Sequence, residues 1–126
     1  MHGDIGPDNV LMDGDDVVAI IDFSPHHQPV LFAVATAIYW YHVYGHDAPD
    51  TAAIGASLDA AGPWTRAERA AWPTMLALVA LSRLATPFAL AAESGSPLSC
   101  ARAAASRRLD ALTAIVGNWP LLAASG

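Results

Sequence analysis

The longest apolar run of the sequence, Val30 to Tyr44, restricts the fold more than any other segment. It is 15 residues long and includes His42. A membrane-spanning helix needs about 20 apolar residues, so a helix buried among other helices is the better interpretation. Pro29 suits the first turn of such a helix, and Gly45 suits its end. We therefore expect a helix over about residues 30–44 at the centre of the core.

Other helices are needed to cover this central one. The sequence predicts them over about residues 49–61, 65–93 and 98–116. Asp47 or Ala48 lies near the expected cap of the first, and Thr65-Arg66-Ala67-Glu68 has the pattern of a capping box. Pro73 should kink or break the long segment, and Pro87 is a second possible break. The predicted fold class is α+β, mostly α, with an N-terminal β-hairpin packed on four to five helices.

The hairpin is predicted from two short apolar segments, Val10–Met12 and Val17–Ile21. Asp13-Gly14-Asp15-Asp16 between them is typical of a turn. With a turn of this length Asn9 faces Ile20, and Asp22 lies two residues beyond. Diagonal neighbours are about 7–8 Å apart, close enough for Asn9 and Asp22 to share a divalent cation. The second strand is almost wholly apolar, so we expect it to be buried.

Polar residues with a fixed spacing surround this hairpin. Positions 2–11 read H-G-D-I-G-P-D-N-V-L, and positions 20–23 read I-I-D-F. These segments resemble the catalytic loop and metal-binding aspartate of the protein-kinase-like fold. The resemblance is to the aminoglycoside phosphotransferase and choline kinase group, because H-G-D replaces the H-R-D of most protein kinases. The phrase I-D-F-S-P also resembles uncharacterised actinobacterial members of that group.

The resemblance implies a role for each motif residue. Asp4 matches the catalytic aspartate, which accepts or orients the proton of the acceptor hydroxyl. Asn9 and Asp22 match the magnesium ligands that hold ATP, and both offer the hard oxygen that magnesium prefers. His2 matches a residue that braces the loop. The acceptor would be a small molecule with a hydroxyl group, such as an aminoglycoside, choline, a sugar or homoserine.

The sequence also departs from this family. All six basic residues are arginine, so the chain has no lysine for the nucleotide phosphates. The sequence begins within the catalytic loop, without the N-terminal lobe, and Gln28–Ala35 lacks the acidic residue of many relatives. We therefore expect part of a C-terminal lobe, with residues 1–28 as the catalytic and metal segment and 29–126 as a helical subdomain. The isolated chain is expected to be inactive until another chain supplies the missing lobe.

A non-catalytic alternative stays open at this point. A remnant or interaction module would expose apolar helix surface, which a mean hydropathy of +0.35 makes hard to hide in a monomer. Such a chain would form a homo-oligomer or dock on another chain.

Charge and cysteine content limit the partners. The net charge is −6, and six aspartates within the first 22 residues account for all of it. This acidity argues against nucleic acid as a partner. The single cysteine, Cys100, fits a reducing compartment, and no signal peptide or membrane span is evident. These features predict a cytoplasmic protein with no membrane partner.

Histidines provide further candidate positions. His26 and His27 adjoin Asp22, where they would either touch substrate or fill the loop. His42 and His46 have a spacing that could bind zinc from one helix face, although Gly45 between them favours the end of the helix.

The remaining candidates favour structural roles. Tyr39-Trp40-Tyr41 and Tyr44 are more typical of core or rim packing than of a ligand cage. Arg107-Arg108 is expected on a solvated face, and Cys100 is expected in packing.

Overall fold

The structure, a computed structural model, describes residues 6–22 and 29–125. A 3₁₀ turn at Pro7–Asn9 leads into two antiparallel strands, β1 (Val10–Asp13) and β2 (Asp16–Ile20). The helices of the described residues are α1 (Val30–Val43), α2 (Thr51–Ala61), α3 (Arg66–Leu84), α4 (Thr86–Ser94), α5 (Leu98–Gly117) and α6 (Trp119–Ser125). The predicted fold class is confirmed, and the helices exceed the expected four to five because short α6 follows Gly117.

The hairpin pairs as predicted next to its turn and differs further along. Gly14 has a φ of +61°, which suits a tight turn, and Met12 pairs with Val17. The next pair is Leu11 with Ala19, so Val18 is an extra residue and forms a β-bulge. The predicted pairing of Asn9 with Ile20 is therefore wrong by one residue, because a β-branched valine gives no sign of a bulge.

The hairpin is far more exposed than its sequence predicts. Val17, Val18 and Ile20 are 58%, 61% and 53% exposed, although we expected this strand to be buried. Ile20 and Ile21 follow the bulge, are 53% and 43% exposed, and point to opposite faces as successive residues, so both faces of the hairpin are open here. The apolar side chains of a strand favour burial, but burial also requires another element that packs on the strand.

The helical core forms around α1, as the apolar run predicts. Ala35 and Tyr39 on α1 are fully buried, and α1 contacts α2, α3 and α5. Gly45, with a φ of +99°, follows the end of this helix as expected. The other helices contribute large buried side chains, namely Leu58, Trp72, Leu76, Ile115 and Leu122.

Local capping fixes where two helices begin. Asp50 rather than Asp47 or Ala48 caps α2, because its Oδ1 accepts from the Ala53 N–H at 2.9 Å. The predicted capping box of α3 is present. The Glu68 N–H donates to Thr65 Oγ1, and the Thr65 N–H donates to the Glu68 carboxylate. The Thr65 N–H and the Thr65 hydroxyl both donate to Glu68 Oε2, and these two bonds lower the pKa of the Glu68 carboxyl.

Pro73 does not break α3, so of the two expected outcomes, a kink or a break, the break is wrong. It lies inside the continuous helix and is buried, and its neighbour Trp72 is fully buried. Burial of this face offsets the backbone hydrogen bond that proline cannot make. The break occurs instead at Ala85, just before Pro87 near the start of α4.

One helical stretch passes a simple test for a membrane span. Arg66–Ser94 is long and apolar enough to cross a bilayer by length and composition, and 28% of its apolar window is buried inside the protein. Core helices of soluble proteins pass the same test, so a single such stretch is weak evidence. The absence of a membrane partner stays a prediction.

We expect the core around α3 to dominate stability. Leu76 is fully buried, whereas Leu78 on the same helix is 56% exposed. Leu76→Ala should lower the free energy of unfolding by about 2–5 kcal/mol, because it leaves a cavity in the core. Leu78→Ala, the matched control, should change it by less than about 1 kcal/mol. Urea unfolding followed by circular dichroism measures both, and equal losses would contradict this placement of the core.

Stability should also fall at mildly acidic pH because of His42. This side chain is 4% exposed, and its Nδ1–H donates to the His46 carbonyl at 2.6 Å. Burial lowers the pKa of His42 below its ordinary 6.5, partly opposed by that hydrogen bond and by Asp47. The unfolded chain then binds more protons, so the stabilisation is complete above about pH 6.5 and is lost as the pH falls.

Urea unfolding between about pH 8 and about pH 5.5 tests this expectation. The free energy of unfolding should decrease with falling pH in the native chain, and His42→Gln should flatten that slope. His46→Gln serves as the control because His46 is exposed. An unchanged slope in His42→Gln would show that other groups cause the pH dependence.

Candidate functional site

Asn9 and Asp22 lie at the open end of the hairpin and line the same cavity. The Ile21 N–H donates to the Asn9 carbonyl at 2.9 Å, so Asp22 directly follows the residue bonded to Asn9. The bulge at Val18 thus brings Asp22 one position nearer to Asn9 than the predicted register does. The cavity has a volume of about 200 Å³, and its walls are Gly6, Pro7, Asp8, Asn9, Asp22, Trp40 and Tyr44.

The loop before β1 is shaped by a close approach to α1. The Asn9 N–H donates to the Gly6 carbonyl at 3.0 Å, which closes the 3₁₀ turn. A Cβ atom on Gly6 would lie 3.3 Å from two atoms of the Trp40 indole ring. This contact is tighter than ordinary packing, so glycine allows the loop backbone to rest on the ring.

A hydrogen bond ties the same loop to the end of α1. The Tyr44 hydroxyl donates to Asp8 Oδ2 at 2.7 Å, across 36 positions of sequence. This bond to Asp8 raises the pKa of Tyr44, because deprotonation would place two negative groups in contact. Trp40 and Tyr44 therefore fix the segment that carries Asn9 against the helical core.

Asp22 has an unusual backbone conformation. Its φ is +54°, the only positive value at a non-glycine position among the described residues. The left-handed region costs about 1–2 kcal/mol for an L-residue, although aspartate tolerates it better than most. This conformation occurs two residues after the end of β2, where Asp22 lines the cavity. Strained residues of this kind concentrate at functional sites.

The chemistry of this pair fits magnesium. A carboxylate and an amide carbonyl are hard oxygen donors, and magnesium is often held by one or two protein groups plus water and phosphate oxygens. Within residues 6–22 and 29–125, no group of three or more His, Cys, Asp or Glu side chains forms a metal site. Asp4, the predicted catalytic residue, and His2 lie outside the described residues, as do His26 and His27.

A larger cavity of about 520 Å³ lies beside the first and shares Trp40 and Tyr44 with it. Its walls come from the end of α1, the loop after it, and α5. Arg107 and Arg108 both line it. Arg107 is exposed, as expected of a solvated face, whereas Arg108 is half-buried and its Nη1 donates to the Arg83 carbonyl. Arg107 and Asp110 are one helical turn apart, and this spacing was the sequence signal that could have indicated a charged wall.

The other sequence candidates separate into structural roles. Tyr39 is fully buried in the core, where desolvation raises its pKa, opposed by Arg108 and Arg83. The predicted zinc alternative finds no support, since His42 bonds the His46 backbone and the His46 ring stacks on Tyr41 at 4.2 Å.

Cys100 does not pack in the core as predicted. It is exposed on α5, because the buried face of the first turns of this helix is formed by alanines at positions 101 and 105.

Two curated relatives are homoserine kinases. The enzyme of Methylobacillus flagellatus is 40% identical over 85 residues, which is 64% of this chain and 27% of the relative. The enzyme of Methylobacillus glycogenes is 41% identical over 80 residues, which is 60% of this chain and 25% of the relative. The chain thus spans about a quarter of the length of these relatives. No family model and no solved structure matches the chain.

These similarities support the motif interpretation at its general level. Both relatives are kinases, as the H-G-D, N and I-D-F pattern predicts. Their names do not point to the aminoglycoside or choline enzymes that the motif resembles. They also give no support to the non-catalytic alternative.

The Tyr44–Asp8 bond should hold the loop in place without dominating global stability. Tyr44→Phe should speed amide exchange at Asn9 and Ile21 about fivefold, the equivalent of about 1 kcal/mol. Tyr41→Phe is the matched control, because the Tyr41 hydroxyl makes only a 3.4 Å contact with the Ala48 carbonyl. Hydrogen exchange followed by NMR measures both, and equal exchange rates in the two variants would show that the bond does not restrain the loop.

Proposed function

We propose that this chain carries the metal-binding and acceptor side of an ATP- and magnesium-dependent kinase that phosphorylates a small hydroxylated amino acid of the homoserine type. The observation that carries the proposal is the convergence of Asn9 and Asp22 on one cavity. This convergence occurs in a chain whose motif resembles kinases and whose relatives are homoserine kinases. Neither the motif nor the cavity alone would distinguish a kinase from a loop braced by polar residues.

Each motif residue then has a part in phosphoryl transfer. Asp4 orients the acceptor hydroxyl and accepts its proton as the oxygen attacks the γ-phosphorus, while the bond from that phosphorus to the β–γ bridging oxygen breaks and ADP leaves. Asn9 and Asp22 would hold magnesium with their side-chain oxygens, and there the metal would supply positive charge against the phosphates of ATP. Because catalysis in this class is mainly positioning and electrostatics, the hydrogen bond from Tyr44 to Asp8, in the loop that carries Asn9, contributes directly.

The homoserine kinase names favour one acceptor among those that the motif left open. Homoserine, like aminoglycosides, choline and sugars, presents a hydroxyl group to a phosphotransferase. It differs from them in carrying an α-carboxylate beside its α-ammonium group. We propose an acceptor with these two charges, and a cytoplasmic location where ATP is supplied, with neither nucleic acid nor membrane as partner.

Complete activity requires groups that this chain does not contain. The 126 residues have no lysine to contact the nucleotide phosphates. We propose that a complementing lobe supplies this contact and covers ATP. A homo-oligomer would need the same contact from another source.

Complementation tests the proposal directly. The chain alone should not phosphorylate L-homoserine. Mixing it with Methylobacillus flagellatus homoserine kinase that lacks the matching segment should restore turnover. Asp22→Ala and Asp4→Asn should each reduce that turnover by about a hundredfold or more. Asp16→Ala, at the exposed hairpin turn, should leave it unchanged. Turnover by the chain alone, or none in the mixture, would contradict the proposal.

The metal part has an independent readout in the isolated chain. Magnesium should shift the NMR signals of the Asn9 side-chain amide. Asp22→Ala should abolish that shift, and Asp16→Ala should retain it. Shifts that are equal in all three proteins would overturn the assignment of Asn9 and Asp22 as magnesium ligands.

A further inference from the structure

The larger cavity beside the metal pair carries charges of both signs. Arg107 and Arg108 line it from α5, and Asp47 and Asp110 line it as well. We propose that this cavity binds the α-carboxylate and α-ammonium groups of a free amino acid, and that it is the acceptor subsite of the kinase. The inference rests on the proposed function for the identity of the acceptor, while the charge pattern is a property of the cavity itself.

The arginine side offers a carboxylate site. Arg107 is exposed on the cavity wall and forms no salt bridge with any residue of the described ranges. It also opposes the rise of the Tyr44 pKa, so its charge acts on the wall shared with the metal cavity. Arginine presents several N–H donors in a planar group that matches the two oxygens of a carboxylate. Arg107 is therefore the main candidate for binding the acid group of the ligand.

Arg108 is held in place next to it. Its Nη1 donates to the Arg83 carbonyl at 2.7 Å, and its Cζ lies 5.8 Å from the centroid of the Trp40 ring. These two contacts position the guanidinium before any ligand arrives, so less side-chain entropy is lost on binding. Arg108 thus contributes a fixed positive charge beside the exposed Arg107.

The opposite charge comes from Asp47 and Asp110. Asn118 restrains the loop of Asp47, because its Nδ2 donates to the Asp47 carbonyl oxygen at 3.0 Å. Both aspartates also line the adjoining cavity near Asn118, which places them along one edge of the site. Two carboxylates at this edge suit an ammonium group.

The placement of the cavity agrees with an acceptor role. It shares Trp40 and Tyr44 with the cavity of Asn9 and Asp22, so ligands in the two would be neighbours. An amino acid bound here by its carboxylate and ammonium groups would have its side chain free to extend away from the charged residues. A hydroxyl on that side chain is the group that the kinase would phosphorylate.

Binding to the isolated chain tests the inference without phosphoryl transfer. The probes are four small molecules. L-homoserine carries both charges and the hydroxyl, and L-2-aminobutanoate carries both charges without the hydroxyl. The charged group of 4-hydroxybutanoate is the carboxylate alone, and that of 3-aminopropan-1-ol is the ammonium alone. Titrations followed by NMR should show similar binding for the first two. The two ligands with a single charge should bind about tenfold more weakly, equivalent to about 1.4 kcal/mol.

Variants assign the charges to residues. Arg107→Gln should weaken the binding of L-2-aminobutanoate about tenfold and leave that of 3-aminopropan-1-ol unchanged. Asp110→Asn should also weaken the binding of L-2-aminobutanoate, but it should leave that of 4-hydroxybutanoate unchanged. Arg102→Gln is the control, as an exposed arginine on the same helix that does not line the cavity.

The proposed amino-acid site would be overturned if Arg107→Gln and Arg102→Gln weakened ligand binding equally. It would also be overturned if ligands with both charges were not preferred. L-2-aminobutanoate has no hydroxyl to phosphorylate, so its binding does not depend on the kinase reaction. Binding through Arg107 without complemented turnover would refute only the proposed function. Homoserine turnover that Arg107→Gln leaves unchanged would refute only the proposed amino-acid site.

Discussion

The contact between the Trp40 indole ring and the backbone of Gly6 connects the hairpin to the helical core. Arg83 and Arg108 place their guanidinium groups 5.5 Å and 5.8 Å from the centroid of the same ring. One side chain of α1 therefore contacts the loop that carries Asn9 and attracts two cations through its π-system. Because Trp40 lines both cavities, any movement of α1 against α5 would change the metal side and the proposed acceptor side together.

The helical half of the fold could be predicted because its signals are local. The apolar run at 30–44 indicates a central helix, and the Thr65–Glu68 capping box marks the start of α3 without reference to anything distant. Pro73 shows where local reasoning ends. Whether a proline breaks a helix depends on the burial of its neighbours, and the complete burial of Trp72 is a tertiary fact.

The two cavities differ in how well they could be predicted from the sequence. Asn9 and Asp22 are separated by a short hairpin, so strand geometry brings them together, and the bulge at Val18 alters that geometry by only one position. Arg107 and Asp47 lie on elements that meet through packing of α1 with α5. The rotation of α5 about its own axis could not be read from its alanines, since small residues occupy both its buried and its exposed positions.

The same alanines explain why there is room for a ligand between these helices. Ala101, Ala105 and Ala111, with Ile115, form the buried face of α5, and Ala104 lines the larger cavity. Small side chains let the helix backbone approach its neighbours closely and fill little of the space beyond the contact. The long side chains of α5 that border this space are arginines, which keep their charged ends at the cavity rather than in the core. An alanine-rich helix with a paired arginine thus combines close packing with a positively charged wall, and Asp47 and Asp110 supply the negative charge of the same cavity.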